Sequence, residues 1–243
     1  MLTVLISAGI LTFVAVFVSL FFVRRGRSKA KLLRLVGFSS GSFLGSVFFH
    51  LLPEMAEKGI PQDYLFFSLI TILLYFLAER LLFSGHHHGE KRGEDHGHLG
   101  YLNIFGDGVH NFLDGLIIAS AYAVDFNLGV IVTISVALHE IPQEVGDFGV
   151  LLYAGFPFKK ALTLNFLAAG SVVLGALTGQ VLLSYVGFFQ SYFLPIAIGG
   201  FLYIAMSTMF PILHEEGDKK EFLYNFGFLL LGAALVYLFK SFS

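Results

Sequence analysis

His110-Asn111-Phe112-Leu113-Asp114-Gly115 and, further along, His139-Glu140-Ile141-Pro142-Gln143-Glu144 are two polar hexapeptides inside stretches that otherwise read as membrane-spanning helices. An ionisable side chain at the middle of a bilayer costs about 2.5 to 3.5 kcal/mol on insertion scales, so its default reading is function. Two histidines and three carboxylates in adjacent spans point to a path for a metal ion.

The chain around them supports the membrane half of that reading. It has 243 residues, 56% hydrophobic and only 13% charged, where a soluble domain carries about 25% charged residues. Cysteine is absent, which removes disulfides and thiolate metal ligands together. A net charge of -2 excludes a nucleic-acid partner. Tryptophan is absent too, leaving interfacial anchoring to tyrosines such as Tyr64, Tyr101, Tyr122, Tyr153, Tyr192 and Tyr224 near the ends of spans. No Gly-x-x-x-x-Gly-Lys-Ser/Thr occurs, which argues against ATP hydrolysis.

A spanning helix needs about 20 largely apolar residues, and eight segments qualify, near 2-23, 35-54, 64-83, 102-124, 128-153, 161-185, 193-211 and 222-240. The expected fold is all-α: a single polytopic membrane domain over 1-243 with eight transmembrane helices. Gly170, Gly175 and Gly179 thin out the sixth span and read as sites of close helix packing. Arg24, Arg25, Arg27, Lys29, Lys31 and Arg34 lie between the first two spans, and Lys91, Arg92, Lys159, Lys160, Lys219 and Lys220 in later odd-numbered loops. Cytoplasmic loops carry the excess of Lys and Arg, so odd loops face inward and both termini outward. The basic cluster follows the first apolar run instead of preceding it, so that run reads as a retained helix and not a signal peptide. The loop at 84-100 holds five histidines, His86, His87, His88, His96 and His98, in a glycine-rich charged tract, the composition of a cytoplasmic metal-binding segment.

A faint internal repeat accompanies the spans. Gly41, Phe43, Leu44 and Pro53 match Gly199, Phe201, Leu202 and Pro211 at one offset, in spans of opposite expected direction. Inverted repeats are a transporter device that places the substrate between the halves.

Helical periodicity joins the two hexapeptides. At about 100° per residue, Asn103, Asp107, Asn111 and Asp114 all fall within about 100° of His110, and Glu140, Gln143, Glu144 and Asp147 within about 140° of His139. Lipid cannot satisfy such stripes, so they face protein or water. The short link at Asp125-Phe126-Asn127 makes the two spans an antiparallel hairpin whose stripes can meet. His110 and His139 would offer imidazole nitrogens, Asp114 and Glu140 carboxylate oxygens, and Asn111 or Gln143 an amide oxygen. That mixed set suits Zn(II), Fe(II) or Mn(II) far better than Cu(I). Pro142 removes a backbone donor beside His139 and frees a carbonyl.

The pattern His-Asn-Phe-Leu-Asp-Gly on a fourth helix, followed by His-Glu-Ile-Pro-Gln-Glu-Val-Gly-Asp-Phe on a fifth, resembles the ZIP (Zrt/Irt-like) divalent metal transporters. The resemblance extends to the eight spans, the His-rich loop, His50-Leu51-Leu52-Pro53-Glu54 ending span two and His214-Glu215-Glu216 ending span seven. It is strongest to the branch with a His-Glu-x-Pro-His-Glu motif, from which Gln143 departs. The resemblance implies metal uptake into the cytoplasm, with His110, Asn111, Asp114, His139, Glu140 and Gln143 at transport-site positions, to which the neighbouring Glu144 is added; the short chain without large loops suits a cell membrane. It also implies a two-metal site in some members, completed by a carboxylate on span six; span six here carries none in its middle, which favours one main site. His50 and Glu54 would receive the ion and His214, Glu215, Glu216 and the loop histidines would accept it on release.

Rival classes fit less well. An intramembrane zinc protease needs His-Glu-x-x-His, and position 143 is Gln. A cation diffusion facilitator would also use the His110 and Asp114 spacing, but such chains resemble six spans with a cytoplasmic domain. A metal sensor would explain the loop but not the intramembrane stripes. No enzymatic activity and no prosthetic group are expected. The expected partners are the transported ion, Zn(II) before Fe(II), Mn(II) or Cd(II), and the lipid bilayer, with a homodimer left open.

Overall fold

The computed structural model describes residues 1–23, 28–83, 97–215 and 218–240. They form eight helices: α1 (Leu2–Val23), α2 (Lys29–Glu57), α3 (Leu65–Phe83), α4 (Gly97–Val124), α5 (Phe126–Tyr153), α6 (Phe158–Val181), α7 (Leu183–His214) and α8 (Lys219–Lys240). No strand occurs among the described residues, and the fold is all-α. Most of the His-rich loop, with His86, His87, His88 and His96, lies outside the described residues, as do Arg24, Arg25, Arg27, Lys91, Arg92 and Glu216.

Polarity is distributed inside out relative to a soluble protein. Phe13, Phe17, Phe66, Leu73, Phe76, Ile131 and Leu231 are exposed, whereas Ser39, Ser40, Ser42 and Ser46 of α2 are fully buried. Lipid imposes no penalty on the first group and cannot hydrogen-bond the second. Seven of the eight helices are long and apolar enough to cross a membrane, and the chain is an integral membrane protein with multiple spans. The eighth, α4, departs from the sequence expectation because it is too polar for that test. Its polar residues Asn103, Asp107, His110, Asn111 and Asp114 are at most 1% exposed, so packing against other helices removes them from lipid.

Local signals set the helix ends. Asp125 is the only residue between α4 and α5, and its carboxylate accepts from the backbone N–H groups of Asn127 (2.9 Å) and Leu128 (3.1 Å), an N-cap that forces the hairpin. Asp218 caps α8 in the same way, accepting from the N–H groups of Lys220 and Glu221 at 2.9 Å. α2 and α5 end alike, each with a glycine at positive φ, Gly59 at 63° and Gly155 at 84°. The next residue's N–H reaches back to a carbonyl five residues earlier, Ile60 to Met55 and Phe156 to Leu151, both at 3.1 Å. That is the Schellman arrangement, and Pro61 and Pro157 then prevent resumption of the helix.

Close packing concentrates on two helix pairs, α2 with α8 and α4 with α6. In both, backbone meets backbone through glycine. A Cβ on Gly115 would strike the carbonyl of Val172, one on Gly175 that of Phe112, and one on Gly41 that of Leu229. Small residues permit such approach where lipid offers no hydrophobic drive to association. Gly170 behaves differently from Gly175 and Gly179. It divides α6 into Phe158–Ala169 and Ser171–Val181, so this one glycine marks a break.

α2 and α7 each contain a π-helical turn, Ser46–Leu51 and Ile204–Met209. The N–H of Leu52 bonds to the carbonyl of Val47, and that of Phe210 to Ala205. Pro53 and Pro211 follow directly. A proline ring clashes with the carbonyl four residues earlier, here that of Phe49 or Ser207, and a wider turn over that carbonyl relieves the clash. These pairs stand at the same offset as Gly41 and Gly199. Phe43 and Phe201, another such pair, stack at 4.4 Å.

Candidate metal centre

The hairpin of α4 and α5 brings the hexapeptides face to face. His110 and Asp114 are one turn apart on α4, as His139 and Gln143 are on α5, so each pair projects from one side of its helix. His110 Nε2 lies 3.3 Å from Glu140 Oε1 and 3.7 Å from Asp114 Oδ2. His139 Nε2 lies 3.3 Å from Asp114 Oδ2 and 3.7 Å from Glu140 Oε1. The four atoms thus form a closed ring of donors, all within 4.8 Å of one another. Tetrahedral zinc with bonds of about 2.0–2.1 Å sets its ligands about 3.3–3.4 Å apart. Two neutral imidazoles and two carboxylates would also balance a divalent charge, the condition for burying an ion where water is excluded.

Surrounding groups orient this ring. His139 Nδ1–H donates to the carbonyl of Ser135 at 3.2 Å, which leaves the Nε2 lone pair facing the carboxylates, the arrangement that metal-binding histidines require. The ring of Phe201, 5.1 Å from that of His110, closes one side. Asp114 Oδ1, Asp114 Oδ2, His110 Nε2 and His139 Nε2 have no hydrogen-bond partner among the described residues. Unpaired polar atoms in a buried site call for a ligand.

The other polar residues of the two hexapeptides divide. Asn111 does not join the ring: its Nδ2 donates to Asp107 Oδ1 at 3.0 Å. Gln143 spans three helices, its Oε1 accepting from Ser46 of α2 at 3.3 Å and its Nε2 donating to Asp107 at 3.5 Å. Glu144 lies with Asp107 and Glu140 in a separate acidic group and accepts from Asn165 Nδ2 of α6.

His50 sits closer to the centre than its sequence position suggests. Hydropathy ends the second span near residue 54, which would leave His50 at an interface, but the helix runs on to Glu57 through its π turn. The His50 ring is 4.8 Å from that of His139 and 6.2 Å from that of His110. Its Nε2 is 3.9 Å from Glu54, which pairs in turn with Lys58 at 3.4 Å. Side-chain exposure is 34% at Lys58, 14% at Glu54, 23% at His50, 9% at His139 and zero at His110, so polar groups run from the surface to the centre.

At the opposite end, His98 Nε2 lies 3.5 Å from Glu79 Oε1, and Tyr203 O–H donates to Glu79 Oε2 at 2.7 Å. The sequence gives no signal for Glu79, since a carboxylate near the end of α3 reads as an ordinary hydrated terminus. His214 is exposed, with its ring 6.2 Å from that of Phe222, and is not part of the centre.

Comparison with known proteins places these features in a wider context. A family model described as ZIP Zinc transporter matches residues 84–240. The zinc transporter ZIP13 of Pongo abelii is 35% identical over 224 residues, which cover 86% of this chain and 67% of that protein. The zinc transporter ZIP13 homolog of Drosophila melanogaster is 31% identical over 275 residues, covering 85% and 77%. The metal cation symporter ZIP14 of Xenopus tropicalis is 37% identical over 160 residues, covering 63% of this chain and 34% of that protein.

Proposed function

Because the chain belongs to the ZIP zinc transporter family, we propose that it carries Zn(II) across a cell membrane into the cytoplasm through the centre formed by His110, Asp114, His139 and Glu140. It is a transporter and not an enzyme. The observation that carries the site assignment is the closed ring of two imidazole nitrogens and two carboxylate oxygens spaced at 3.3 to 3.7 Å. Asn111 and Gln143 act from beside the ring, and Glu144 from the acidic group next to it. Iron or manganese uptake by the same ring is the second reading, favoured by Gln143 standing where an additional imidazole would favour zinc.

In this reading the ion enters past Glu54 and His50. His50 passes it to His139, whose ring is its nearest imidazole neighbour. Both termini and Lys58 face outward, by the distribution of Lys and Arg. The 84–100 loop is then cytoplasmic, and its histidines take up ions on release. α2 and α7 form the core of an inverted repeat, supported by their equivalent π turns, equivalent prolines and the stacking of Phe43 on Phe201. Alternating access follows if one bundle rocks against the other about the centre. All the proposed ligands come from one chain, so a second copy is not needed to complete the site.

The test is metal uptake into vesicles reconstituted with the wild type, His110→Ala or His139→Ala. Uptake of zinc should fall at least about tenfold in each variant, since replacing even an outer-shell partner of a ligand costs about 10–100-fold in metal affinity. Undiminished zinc, iron and manganese flux in both would remove the centre from the transport path. Protons compete for the imidazoles, so wild-type uptake should weaken as the outer pH falls from about 7.5 to about 5.5.

A further inference from the structure

The π turns of α2 and α7 correspond position by position. Pro211 follows Thr208 by three residues, as Pro53 follows His50. Thr208 therefore holds in the turn Ile204–Met209 the place that His50 holds in Ser46–Leu51. His50 is the residue that α2 sends toward the centre, with its ring 4.8 Å from that of His139.

Thr208 is 4% exposed, and its hydroxyl has no hydrogen-bond partner among the described residues. Thr12, Thr71, Thr133, Thr163 and Thr178 each donate to the carbonyl four residues earlier, the usual way in which a helix satisfies a threonine. In the π turn the helix is wider, and the Thr208 hydroxyl makes no such bond. A buried hydroxyl left unpaired is destabilising, and valine, of the same shape, would avoid that cost.

The course of α7 shows what Thr208 stands next to. The ring of Phe201 lies 5.1 Å from that of His110. Three residues on, Ile204 Cδ1 is the nearest atom that a Cβ on Gly106 would meet, at 2.9 Å, and Gly106 precedes His110 by one turn on α4. Thr208 follows Ile204 by about one more turn on the same face. His50 stands to the other side of the ring, nearer to His139, which pairs with Asp114, one turn beyond His110. From the ring, α2 thus presents an imidazole on one side and α7 a hydroxyl on the other.

We propose that Thr208 is the exit-side counterpart of His50, its hydroxyl oxygen taking a ligand position on the divalent ion as the ion leaves the histidine ring. The inference rests on the ring as the transport site and on the correspondence of α2 with α7. The two sides then differ in ligand strength. Imidazole is a standard zinc ligand and a neutral hydroxyl is not, so His50 gathers the ion and Thr208 lets it go. The concentration gradient sets the direction of net transport, and the weak ligand sets the speed of release.

The test compares Thr208→Val, Thr208→Ser and Thr208→His in the full chain, with zinc as the probe. Initial uptake into vesicles, melting temperature in detergent and the rate at which purified protein surrenders zinc to a chelator are read on each. Thr208→Val removes only the unpaired hydroxyl, so it should melt at or above the wild-type temperature. Its maximal uptake rate should nevertheless fall about fivefold, the scale of losing one polar contact. Thr208→Ser should restore that rate. Thr208→His gives α7 the residue that α2 has, and should slow both uptake and the surrender of zinc. Wild-type uptake by Thr208→Val, or uptake and melting temperature falling together, overturns the proposal, as does Thr208→His surrendering zinc at the wild-type rate. Should Thr208→Val not fold, Thr208→Ala against Thr208→Ser makes the same comparison. Failure of the ring itself shows elsewhere, as unaltered zinc binding by the variant combining His110→Ala with His139→Ala.

Discussion

Gln143 shows how much one side chain decides at the residue scale. Its sequence context suggests a ligand, since a related motif carries His there, yet its amide is engaged on both sides, by Ser46 and by Asp107. It ties α2, α4 and α5 together next to the ring. Replacing it by histidine breaks that tie and supplies an imidazole to the centre. Gln143→His should tighten Zn(II) binding relative to Mn(II) by about tenfold or more, read by competition titration of the purified protein. Equal selectivity in the two proteins would place position 143 outside the coordination sphere. The types and spacing of His110, Asp114, His139 and Glu140 are legible from helical periodicity alone. The approach of His50 is not, because hydropathy marks where apolar residues stop and says nothing of where a helix continues.

For the elements, the sequence is legible wherever a residue acts on its own backbone. Asp125, Asp218, Gly59, Gly155 and the prolines after the two glycines determine helix ends through local geometry. Glycines inside helices are ambiguous, because a packing contact and a break look alike until the partner is known. Gly170 proves a break and Gly175 a contact. The contact makes a sharp prediction. Gly175→Ala would push a Cβ into the Phe112 carbonyl and should cost about 1–3 kcal/mol, the scale of overpacking. Gly227→Ala meets nothing within 4 Å and should lie within about 0.5 kcal/mol of wild type. Thermal unfolding in detergent compares the two, and equal melting temperatures would show that α4 and α6 do not pack this closely.

The orientation of the whole molecule in the bilayer is open to a direct check, because the chain has no cysteine of its own. A membrane-impermeant maleimide applied to intact cells should label Lys58→Cys, at the end of α2, and spare Lys159→Cys, at the start of α6. Both positions are exposed, so the reverse pattern would invert the proposed topology and with it the direction of transport. The sequence by itself determined that this is a helical membrane protein with two polar stripes joined by a tight hairpin, because bilayer thickness, helical period and capping act over a few residues at a time. Only the tertiary structure decided which of those polar groups meet. It gathered two imidazoles and two carboxylates into a ring, turned Asn111, Gln143 and Glu144 toward Asp107 and Asn165, and let the polar helix α4 exist at all by enclosing it. Those outcomes depend on contacts between helices distant in sequence, where glycine-lined approach and the lack of water in the bilayer determine which partners each buried polar group can find.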